Sequence, residues 1–530
     1  MKKLFCLFAA TLFLSTNCRL ETFAATNTAS KKASNKNATN KAKANSNEGQ
    51  ATVEANADII HALNRMAFGP RPGDIEHVRQ IGIERYIDEQ LNPQPLADPL
   101  VSDERFQVLN QNAAGLIQRF QEMRKEAQQI KKQENSNKAD FTEAKRAIKR
   151  FYMETEGAYK TAKLQRAIDS PNQLQEVMTD FWYNHFNVFT GKGLDRVLCG
   201  PYEQQAIRPY ALGRFRDLLG ATCHHPAMLF YLDNWQNTDP KSNGARAKKT
   251  GLNENYAREL MELHTLGVDG GYTQKDVIEL ARILTGLGLA GPRAKYNQRL
   301  EMVGPFGAAF DPNRHDFSDK VLLGHHIKGG GEGEIEEALD LLAAQPATAH
   351  HIAFQLAQYF VADNPPPSLV NRLAQRFMQT DGNIKLVMQT MLNSQEFWDP
   401  KYEHSKYKSP FRYVVSTMRA SGLPGDRADV LNQFLQQQGQ PIYGCLTPDG
   451  YKNTKEAWMN PDALLRRLNF ATAIGNGNLA GYQFDPPEYR MLGDTISGGK
   501  FSSQTVATVA KQPEELRSAL LLGSPEFMRY

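Results

Sequence analysis

One stretch of the sequence concentrates side chains that could do acid, base or metal chemistry. Glu254, Arg258 and Glu262 follow one another at intervals of four residues, which places alternating charges along one face of a helix. Glu259 lies three residues before Glu262, and His264 lies at the edge of the apolar stripe of the same stretch. Two interpretations stay open. The stretch is either a buried helix whose arginine pairs with two carboxylates, or a pocket wall with metal ligands or an acid/base pair.

A second polar pair, Asn184 and His185, lies inside an aromatic run. The sequence from Phe181 to Val188 reads Phe-Trp-Tyr-Asn-His-Phe-Asn-Val. Polar groups that are enclosed in this way must be hydrogen-bonded, because burial removes their water. The pair therefore either ties the core together or faces a functional site.

A third pair, His315 and Asp316, follows the sequence Phe-Asp-Pro at residues 310–312, where a loop could supply a histidine and a carboxylate. If helices that are far apart in the sequence pack around a shared cleft, these groups converge. A divalent metal ion would then assist hydrolysis. Its candidate ligands are His185, Glu262, His264, His315 and Asp316.

The same groups also suit acid/base chemistry without a metal. The candidate catalytic residues are His185, Glu259, Glu262, Asn184 and Arg258. A polysaccharide lyase would use Asn184, His185, Tyr256 and Arg258 in this manner. The Glu-x-x-His spacing of a di-iron helix does not occur at Glu262 and His264, which weakens that type of metal site.

The elements that must position these residues are mostly helices, so we predict a mainly α protein. A single large multi-helix body is expected over residues 58–530, with a short β-hairpin near 300–327, where three apolar residues precede Gly324. No Walker loop, GxSxG or HExxH motif occurs in the sequence. Apolar residues recur at helical spacing over 172–189, 203–219, 253–266, 274–285, 334–344, 347–362, 367–380, 383–393 and 460–474.

Residues 119–150 differ from the rest of the body in composition. They are mostly Gln, Glu, Lys and Arg, with a polar break at Asn135-Ser136-Asn137. This pattern predicts a projecting charged helical hairpin whose faces are solvated. A coiled-coil arm that binds a partner is the alternative.

The N-terminal residues predict export. Lys2 and Lys3, the apolar run 4–14 and small residues near Ala25 are typical of a signal peptide over 1–25. Residues 26–57 contain no large apolar side chain before residue 50 and are expected to be a disordered tether. No later segment is expected to span a membrane, so we expect the chain in the periplasm, at the cell surface or outside the cell.

The whole chain has a net charge of +4, and its excess of positive charge comes from this N-terminal part. Residues 1–25 carry a net charge of +2 and residues 26–50 carry +4, which leaves −2 for residues 51–530. A slightly acidic body argues against nucleic-acid binding. The basic tether suits an anionic envelope surface or polysaccharide better. After signal removal three cysteines are left (Cys199, Cys223 and Cys445), so at most one internal disulfide is expected.

Several motifs recur along residues 58–475, namely Asn64–Pro72, Phe181–Phe186, Pro226–Asn234, Leu252–Gly271, Tyr272–Val277, His315-Asp316 and Gln345–Ala349. Together these motifs resemble the bacterial domain-of-unknown-function 1800 family. The resemblance implies an exported, mainly helical protein with no established activity and an exported partner that resembles alkaline phosphatases and sulfatases. The chain departs from the family pattern at Leu287 and at His350-His351, which lowers these two histidines as site candidates.

Three functions follow as expectations. The first is an extracytoplasmic hydrolase-like enzyme with a site of histidines and carboxylates. The second is a non-enzymatic secreted or cell-surface protein that binds or assembles with an exported partner. The third is a metal-free enzyme that resembles polysaccharide lyases.

Overall fold

The computed structural model describes residues 56–95, 100, 102–132, 138–242, 251–290 and 300–530. The predicted signal peptide and residues 26–55 of the predicted tether lie outside these residues. Residues 56 and 57 already belong to the first helix, α1, which spans 56–66. The helical body therefore begins at or before residue 56.

The first half of the body is built from helices that are joined by turns. Between α7 and α8 the chain forms a π-helical turn over Glu203–Ile207 and a 3-10 turn over Arg208–Tyr210. The helices are α2 (Asp74–Ile81), α3 (Ile83–Leu91), α4 (Ala113–Lys132), α5 (Lys138–Asp169), α6 (Gln173–His185), α7 (Asp195–Tyr202), α8 (Phe215–Cys223), α9 (Pro226–Tyr231), α10 (Asn255–Glu262) and α11 (Gln274–Ile283).

The second half is also helical, and the mainly α prediction is confirmed. The pairs α13/α14 and α20/α23 pack along each other. These helices are α12 (Gly333–Ala343), α13 (Pro346–Phe360), α14 (Pro367–Gln379), α15 (Ile384–Leu392), α16 (Gln395–Trp398), α17 (Pro410–Ala420), α18 (Ala428–Gln437), α19 (Lys455–Trp458), α20 (Pro461–Gly475), α21 (Tyr489–Ser497), α22 (Ser503–Ala510) and α23 (Glu514–Leu522).

The strands are short and lie mainly where the sequence predicted a hairpin. A three-stranded antiparallel sheet has the order β1-β3-β2, and two hairpins pair β4 with β5 and β6 with β7. The predicted hairpin near 300–327 is confirmed, and it consists of two hairpins in succession. The strands are β1 (Leu287–Leu289), β2 (Glu301–Val303), β3 (Ala308–Phe310), β4 (Lys320–Leu322), β5 (His325–Ile327), β6 (Asn478–Leu479) and β7 (Tyr482–Gln483).

Side chains at the helix starts explain why the helices begin where they do. Thr273 and Asp276 form a capping box at α11, in which each side chain accepts from the backbone N–H of the other residue. Asn383, Ser409 and Asn460 accept from the backbone N–H three residues later at the starts of α15, α17 and α20. These caps satisfy N–H groups that have no partner within the helix.

The charged hairpin is formed by α4 and the first part of α5, which pack against each other. Within residues 121–132 and 138–150, Ala127 is the one buried residue. We call residues 119–132 and 138–150 the charged arm. Helix α5 continues past the arm to Asp169, and there it buries Phe151, Ala158 and Leu164. One helix therefore joins the solvated arm to the core.

Residues 54–530 form one compact unit. Its core includes Trp182 of α6, which is fully buried and donates from Nε1 to the carbonyl oxygen of Ala211 over 2.9 Å. Within the described residues, Cys199, Cys223 and Cys445 are buried free thiols. In the same part of the chain, every helix is too short or too polar to cross a membrane.

Candidate functional site

A cavity of about 280 Å³ lies where α6, the C-terminal end of α10, α13 and the loop 440–453 meet. We call it the cleft. It brings together segments that are more than 250 residues apart in the sequence. Its wall combines aromatic rings, amides and charged groups. Its lining includes Lys163, Asp180, Phe181, Tyr183, Asn184, His185, Asn187, Glu262, His351, Gln355, Gln358, Tyr359, Arg412, Tyr443, Asp449, Tyr451, Lys452 and Asn453.

Asn184 and Asn187 hold the loop 440–453 against the end of α6. The Asn184 side chain accepts from the backbone N–H of Tyr451 over 2.7 Å and donates to its carbonyl oxygen over 2.9 Å. Asn187 donates to the carbonyl oxygens of Cys445 and Thr447 over 3.0 and 2.9 Å. Both the oxygen and the nitrogen of the amide of Asn184, a predicted catalytic residue, therefore bind this loop and position it.

Gly450 allows this close approach. Its φ of +69° lies in the left-handed region, and a Cβ there would lie 2.2 Å from the main-chain oxygen of Asn184. A side chain at this position is excluded both by backbone conformation and by contact. The turn that carries Asp449 into the cleft therefore depends on this glycine.

His185 lies in the wall of the cleft with both ring nitrogens occupied. Nδ1 is 2.6 Å from Oε1 of Gln355, and Nε2 is 3.1 Å from the carbonyl oxygen of His264. Burial, helped by the nearby His351, lowers the pKa of His185 to about 4. The ring is thus uncharged at neutral pH and is fixed in orientation.

Three imidazoles form a cluster at this point, in which His185 and His264 are buried and His351 is half-buried. The ring centroids of His264 and His351 lie 6.0 and 6.2 Å from that of His185. Burial lowers the pKa of His264 and of His351 as well. His264 Nε2 is buried and has no hydrogen-bond partner in the described part of the chain. His351 Nε2 lies 3.2 Å from the carbonyl oxygen of Leu263 and 3.0 Å from Nε2 of Gln355.

The carboxylates of α10 lie as the charge ladder of the sequence predicted. Arg258 is 3.1 Å from Glu254 and 3.5 Å from Glu262. Glu262 lines the cleft, whereas Arg258 and Glu254 form the outer part of the ladder. Arg258 therefore orients Glu262.

Glu259 and Asp449 have pKa values that their surroundings shift in opposite directions. Burial, then the negative charges of Glu262 and Asp449, raise the pKa of Glu259, although Arg258 opposes the shift. Burial alone would raise the pKa of Asp449, but hydrogen bonds from Lys452 and Thr447 outweigh it and hold that pKa below its usual value. Glu259 is thus protonated more readily than a carboxyl group in water, and Asp449 less readily.

A buried ion cluster forms one side of the cleft. Lys163 lies 2.7 Å from Glu203 Oε2 and 3.0 Å from Asp180 Oδ1. Burial alone would lower the pKa of Lys163, but Glu203 and Asp180 outweigh it and raise the pKa. The ammonium also lies over the rings of Tyr183 and Tyr443. The cluster stays charged and fixes the two tyrosines that line the cleft.

His315 and Asp316 do not line the cleft. His315 Nε2 is 3.0 Å from Glu334 Oε1, its Nδ1 is 2.8 Å from the carbonyl oxygen of Thr285, and Lys320 pairs with the other oxygen of Glu334. Asp316 pairs with Arg282 over 2.8 Å, which holds its pKa low although burial alone would raise it. These bonds join the β4–β5 hairpin to the starts of α12 and the end of α11.

The structure does not bring the five predicted metal ligands together. His185, His264 and Glu262 lie at or beside the cleft, and His315 and Asp316 belong to the separate network around Glu334. Among the described residues, three or more His, Cys, Asp or Glu ligand atoms converge within 4.8 Å of one another at a different place. The cleft therefore offers the carboxyl groups of Glu262 and Asp449 beside an imidazole cluster, which is suited to proton transfer.

A sequence profile described as "Protein of unknown function (DUF1800)" matches residues 61–529. The match covers nearly all of the described body, so it decides the family. The chain belongs to this family. The suspected family resemblance is confirmed. No curated protein and no solved structure matches the chain.

Sequence reasoning missed several residues of the cleft. Asp449 lies in Thr447-Pro-Asp-Gly450, a pattern typical of a surface turn, which gives no sign that its carboxylate lines a cleft. The departure from the family pattern lowers His351 as a candidate, yet its ring reaches the cleft. Gln355 lies one turn further along the same helix face, so the spacing His351-x-x-x-Gln355 was the available signal.

Proposed function

We propose that the chain is an exported hydrolase that cleaves a carbohydrate chain at the cleft, with Asp449 of the cleft wall as base and Glu259, three residues before the lining residue Glu262, as proton donor. The observation that carries the proposal is the opposite direction of their two pKa shifts. Pairs of carboxyl groups whose surroundings separate their pKa values are typical of enzymes that need an acid and a base at once.

The reaction needs one proton to be given and one to be taken. Glu259 gives its proton to the glycosidic oxygen of the leaving sugar, and the bond from that oxygen to the anomeric carbon breaks. Asp449 takes a proton from a water molecule whose oxygen forms the new bond to the anomeric carbon. The two carboxyl groups thereby exchange roles, and solvent restores their protonation.

The other predicted residues act on this pair from a distance. After burial, the negative charge of Glu262 raises the pKa of Glu259 most, and Arg258 orients Glu262. Asn184 holds the turn that carries Asp449. His185 has no free ring nitrogen, so we assign it the role of fixing α6 against α10.

The lining of the cleft supports a carbohydrate as the substrate. Phe181, Tyr359, Tyr443 and Tyr451 offer ring faces, on which the C–H faces of sugars pack. Asn453 offers a side-chain amide and Gln358 an amide oxygen to the hydroxyl groups of a sugar, whereas the amide of Gln355 is already bonded to His185 and His351. The signal-like N-terminus and the basic tether support a site of action in the periplasm, at the cell surface or outside the cell, where envelope polysaccharides are found.

The experiment is an assay of the mature protein on purified envelope polysaccharides, in which the release of reducing ends is measured. Glu259→Gln and Asp449→Asn should each lose at least about 100-fold in kcat, the usual effect of removing a general acid or base. Glu254→Gln, at the residue before α10, and Asp462→Asn on α20 each remove a carboxylate that pairs with an arginine, Arg258 and Arg466 respectively, and both variants should keep their activity.

The products distinguish the hydrolase from a lyase. A hydrolase places one oxygen from heavy-oxygen water in each new reducing end, whereas a lyase leaves an unsaturated sugar and takes no oxygen from water. Unsaturated ends would replace our proposal by the lyase. Full activity of Glu259→Gln or of Asp449→Asn would overturn the assigned roles.

A second role, binding of an exported partner, is supported by the charged arm. Phe120 and Ala127 are the buried residues of the arm, so its other residues contribute little to the stability of the body. We propose that this arm docks the exported protein that resembles alkaline phosphatases and sulfatases. Size-exclusion chromatography of the two purified proteins tests this: a variant with a shortened arm should fold and no longer co-elute, and unchanged co-elution would refute the role.

A further inference from the structure

Three side chains converge at a place that is separate from the cleft. His224 directly follows α8, Glu332 directly precedes α12, and Glu336 lies in the first turn of α12. One ligand atom from each lies within 4.8 Å of the other two. None of the three lines the cleft. We call these residues the His224 cluster.

His224 has a ring nitrogen that the described residues leave without a hydrogen bond. The residue is 8% exposed, and its Nε2 atom is buried and unpartnered. The atom lies 3.2 Å from Glu336 Oε1, so it points into the cluster without forming a hydrogen bond of acceptable geometry. Buried polar atoms are nearly always paired, so an orphaned nitrogen facing two carboxylates indicates a missing partner.

Glu336 is held so that one oxygen stays available. Its Oε2 atom accepts from Arg216 over 2.6 Å, and its Oε1 atom faces His224. Arg216 also binds Asp340 over 2.5 Å, so its single charge is shared between two carboxylates. The guanidinium therefore fixes Glu336 but does not neutralise the cluster.

Glu332 adds a second carboxylate beside that of Glu336. It precedes α12, yet its side chain makes no capping hydrogen bond to that helix. A carboxylate oxygen of Glu332 lies within 4.8 Å of one of Glu336, so the two negative charges repel each other. A cation between the carboxylates would remove this repulsion.

We propose that His224, Glu332 and Glu336 bind a divalent transition-metal ion, with Zn²⁺ as the best match. One imidazole nitrogen and two carboxylate oxygens are ligands that Zn²⁺ accepts. Ca²⁺ and Mg²⁺ favour sites made of oxygen alone. Three protein ligands leave a fourth position of a tetrahedral Zn²⁺ site to water. Because α8 packs against α12, the ion would also tie these two helices together.

The test is isothermal titration of untagged, chelator-treated mature protein with Zn²⁺, and with Ca²⁺ in parallel. We expect one Zn²⁺ per chain and no comparable binding of Ca²⁺. Glu332→Gln should weaken the binding of Zn²⁺ at least 10-fold, since changes even beyond the direct ligands cost 10- to 100-fold in affinity. Its side chain caps nothing, so this variant should fold.

The control is Glu337→Gln, on the same helix. Glu337 is exposed and lies 3.1 Å from His325. The Glu337→Gln variant therefore removes a surface pair of histidine and carboxylate that could bind Zn²⁺. Its affinity should equal that of the unchanged protein. Heating supplies a second measurement: Zn²⁺ should raise the melting temperature of the unchanged protein and of Glu337→Gln, but not that of Glu332→Gln. The proposal fails if the unchanged protein binds no Zn²⁺, or if Glu332→Gln binds it equally well.

Discussion

Asn184 and Tyr451 are 267 positions apart in the sequence, and the side-chain amide of the first bonds both backbone polar groups of the second. This contact fastens the loop 440–453 to the C-terminal end of α6. Since Asp449 lies in that loop, the placement of the proposed base depends on an amide from the opposite wall of the cleft.

Replacing this amide should loosen the loop and destabilise the protein. Asn184→Ala removes two hydrogen bonds to the backbone, and we expect a loss of about 1–3 kcal/mol in the free energy of unfolding. Urea denaturation measures it. The control is Asn476→Ala, which removes an exposed asparagine after α20 and should change stability by less than about 0.5 kcal/mol. Equal stability of the two variants would contradict the role of Asn184.

Alanine substitutions at two glycines in the left-handed region distinguish the cost of backbone strain from the cost of a steric contact. Gly481 has a φ of +87° and open space around a Cβ, whereas a Cβ on Gly450 would meet the oxygen of Asn184. Gly481→Ala should cost about 1–2 kcal/mol through strain alone. Gly450→Ala should cost at least about 1 kcal/mol more, because the loop must also move. If thermal or urea denaturation gives the two variants the same loss, the close approach is not rigid.

The helices could be predicted from the sequence because their signals are local. The segment 383–393 became α15 (Ile384–Leu392), and 460–474 became α20 (Pro461–Gly475), since apolar periodicity and asparagine caps define them. The segment 203–219 was less successful. It is a π-helical turn, a 3-10 turn and the start of α8, because Pro209 and Gly213 interrupt the α-helical pattern.

The site was predicted only where its residues share a helix. The ladder of Glu254, Arg258 and Glu262 follows from spacing alone. Other features depend on tertiary packing, which a single sequence does not encode at any fixed spacing. They are the pairing of Asn184 with Tyr451, the position of Asp449 in the cleft wall and the separation of His315 from His185. The cleft residues that the sequence did not predict therefore lie in the loop 440–453 and on α13, where no local spacing relates them to α10.

Acid should destabilise the protein through His185. Its pKa falls from 6.5 in the unfolded chain to about 4 in the fold, so between these values the unfolded chain binds more protons. The stability that the neutral ring contributes is complete above pH 6.5 and is lost as the pH falls toward 4. His185→Gln should reduce the slope of unfolding free energy against pH in this window by up to about 1.4 kcal/mol per pH unit. His325→Gln, at an exposed site, should leave the slope unchanged.

The buried cluster of Lys163, Glu203 and Asp180 should respond strongly to the loss of one charge. Lys163→Met leaves Glu203 buried without its cation and should cost about 3–5 kcal/mol. Adding Glu203→Gln removes that stranded charge and should recover part of the loss. A double-mutant cycle from urea denaturation gives the coupling energy. If the double variant is as unstable as the sum of the single variants, Lys163 and Glu203 do not act as a pair.

The pH dependence of the proposed reaction should reveal which charge keeps Glu259 protonated. Activity requires protonated Glu259 and ionised Asp449, so the profile of kcat/KM should be bell-shaped, between the lowered pKa of Asp449 and the raised pKa of Glu259. Glu262→Gln removes one of the charges that raise the pKa of Glu259, so the alkaline limb should move to lower pH while the acidic limb stays. Glu254→Gln, at the residue before α10, should move neither limb. A shift of the acidic limb instead would mean that Glu262, not Asp449, is the base.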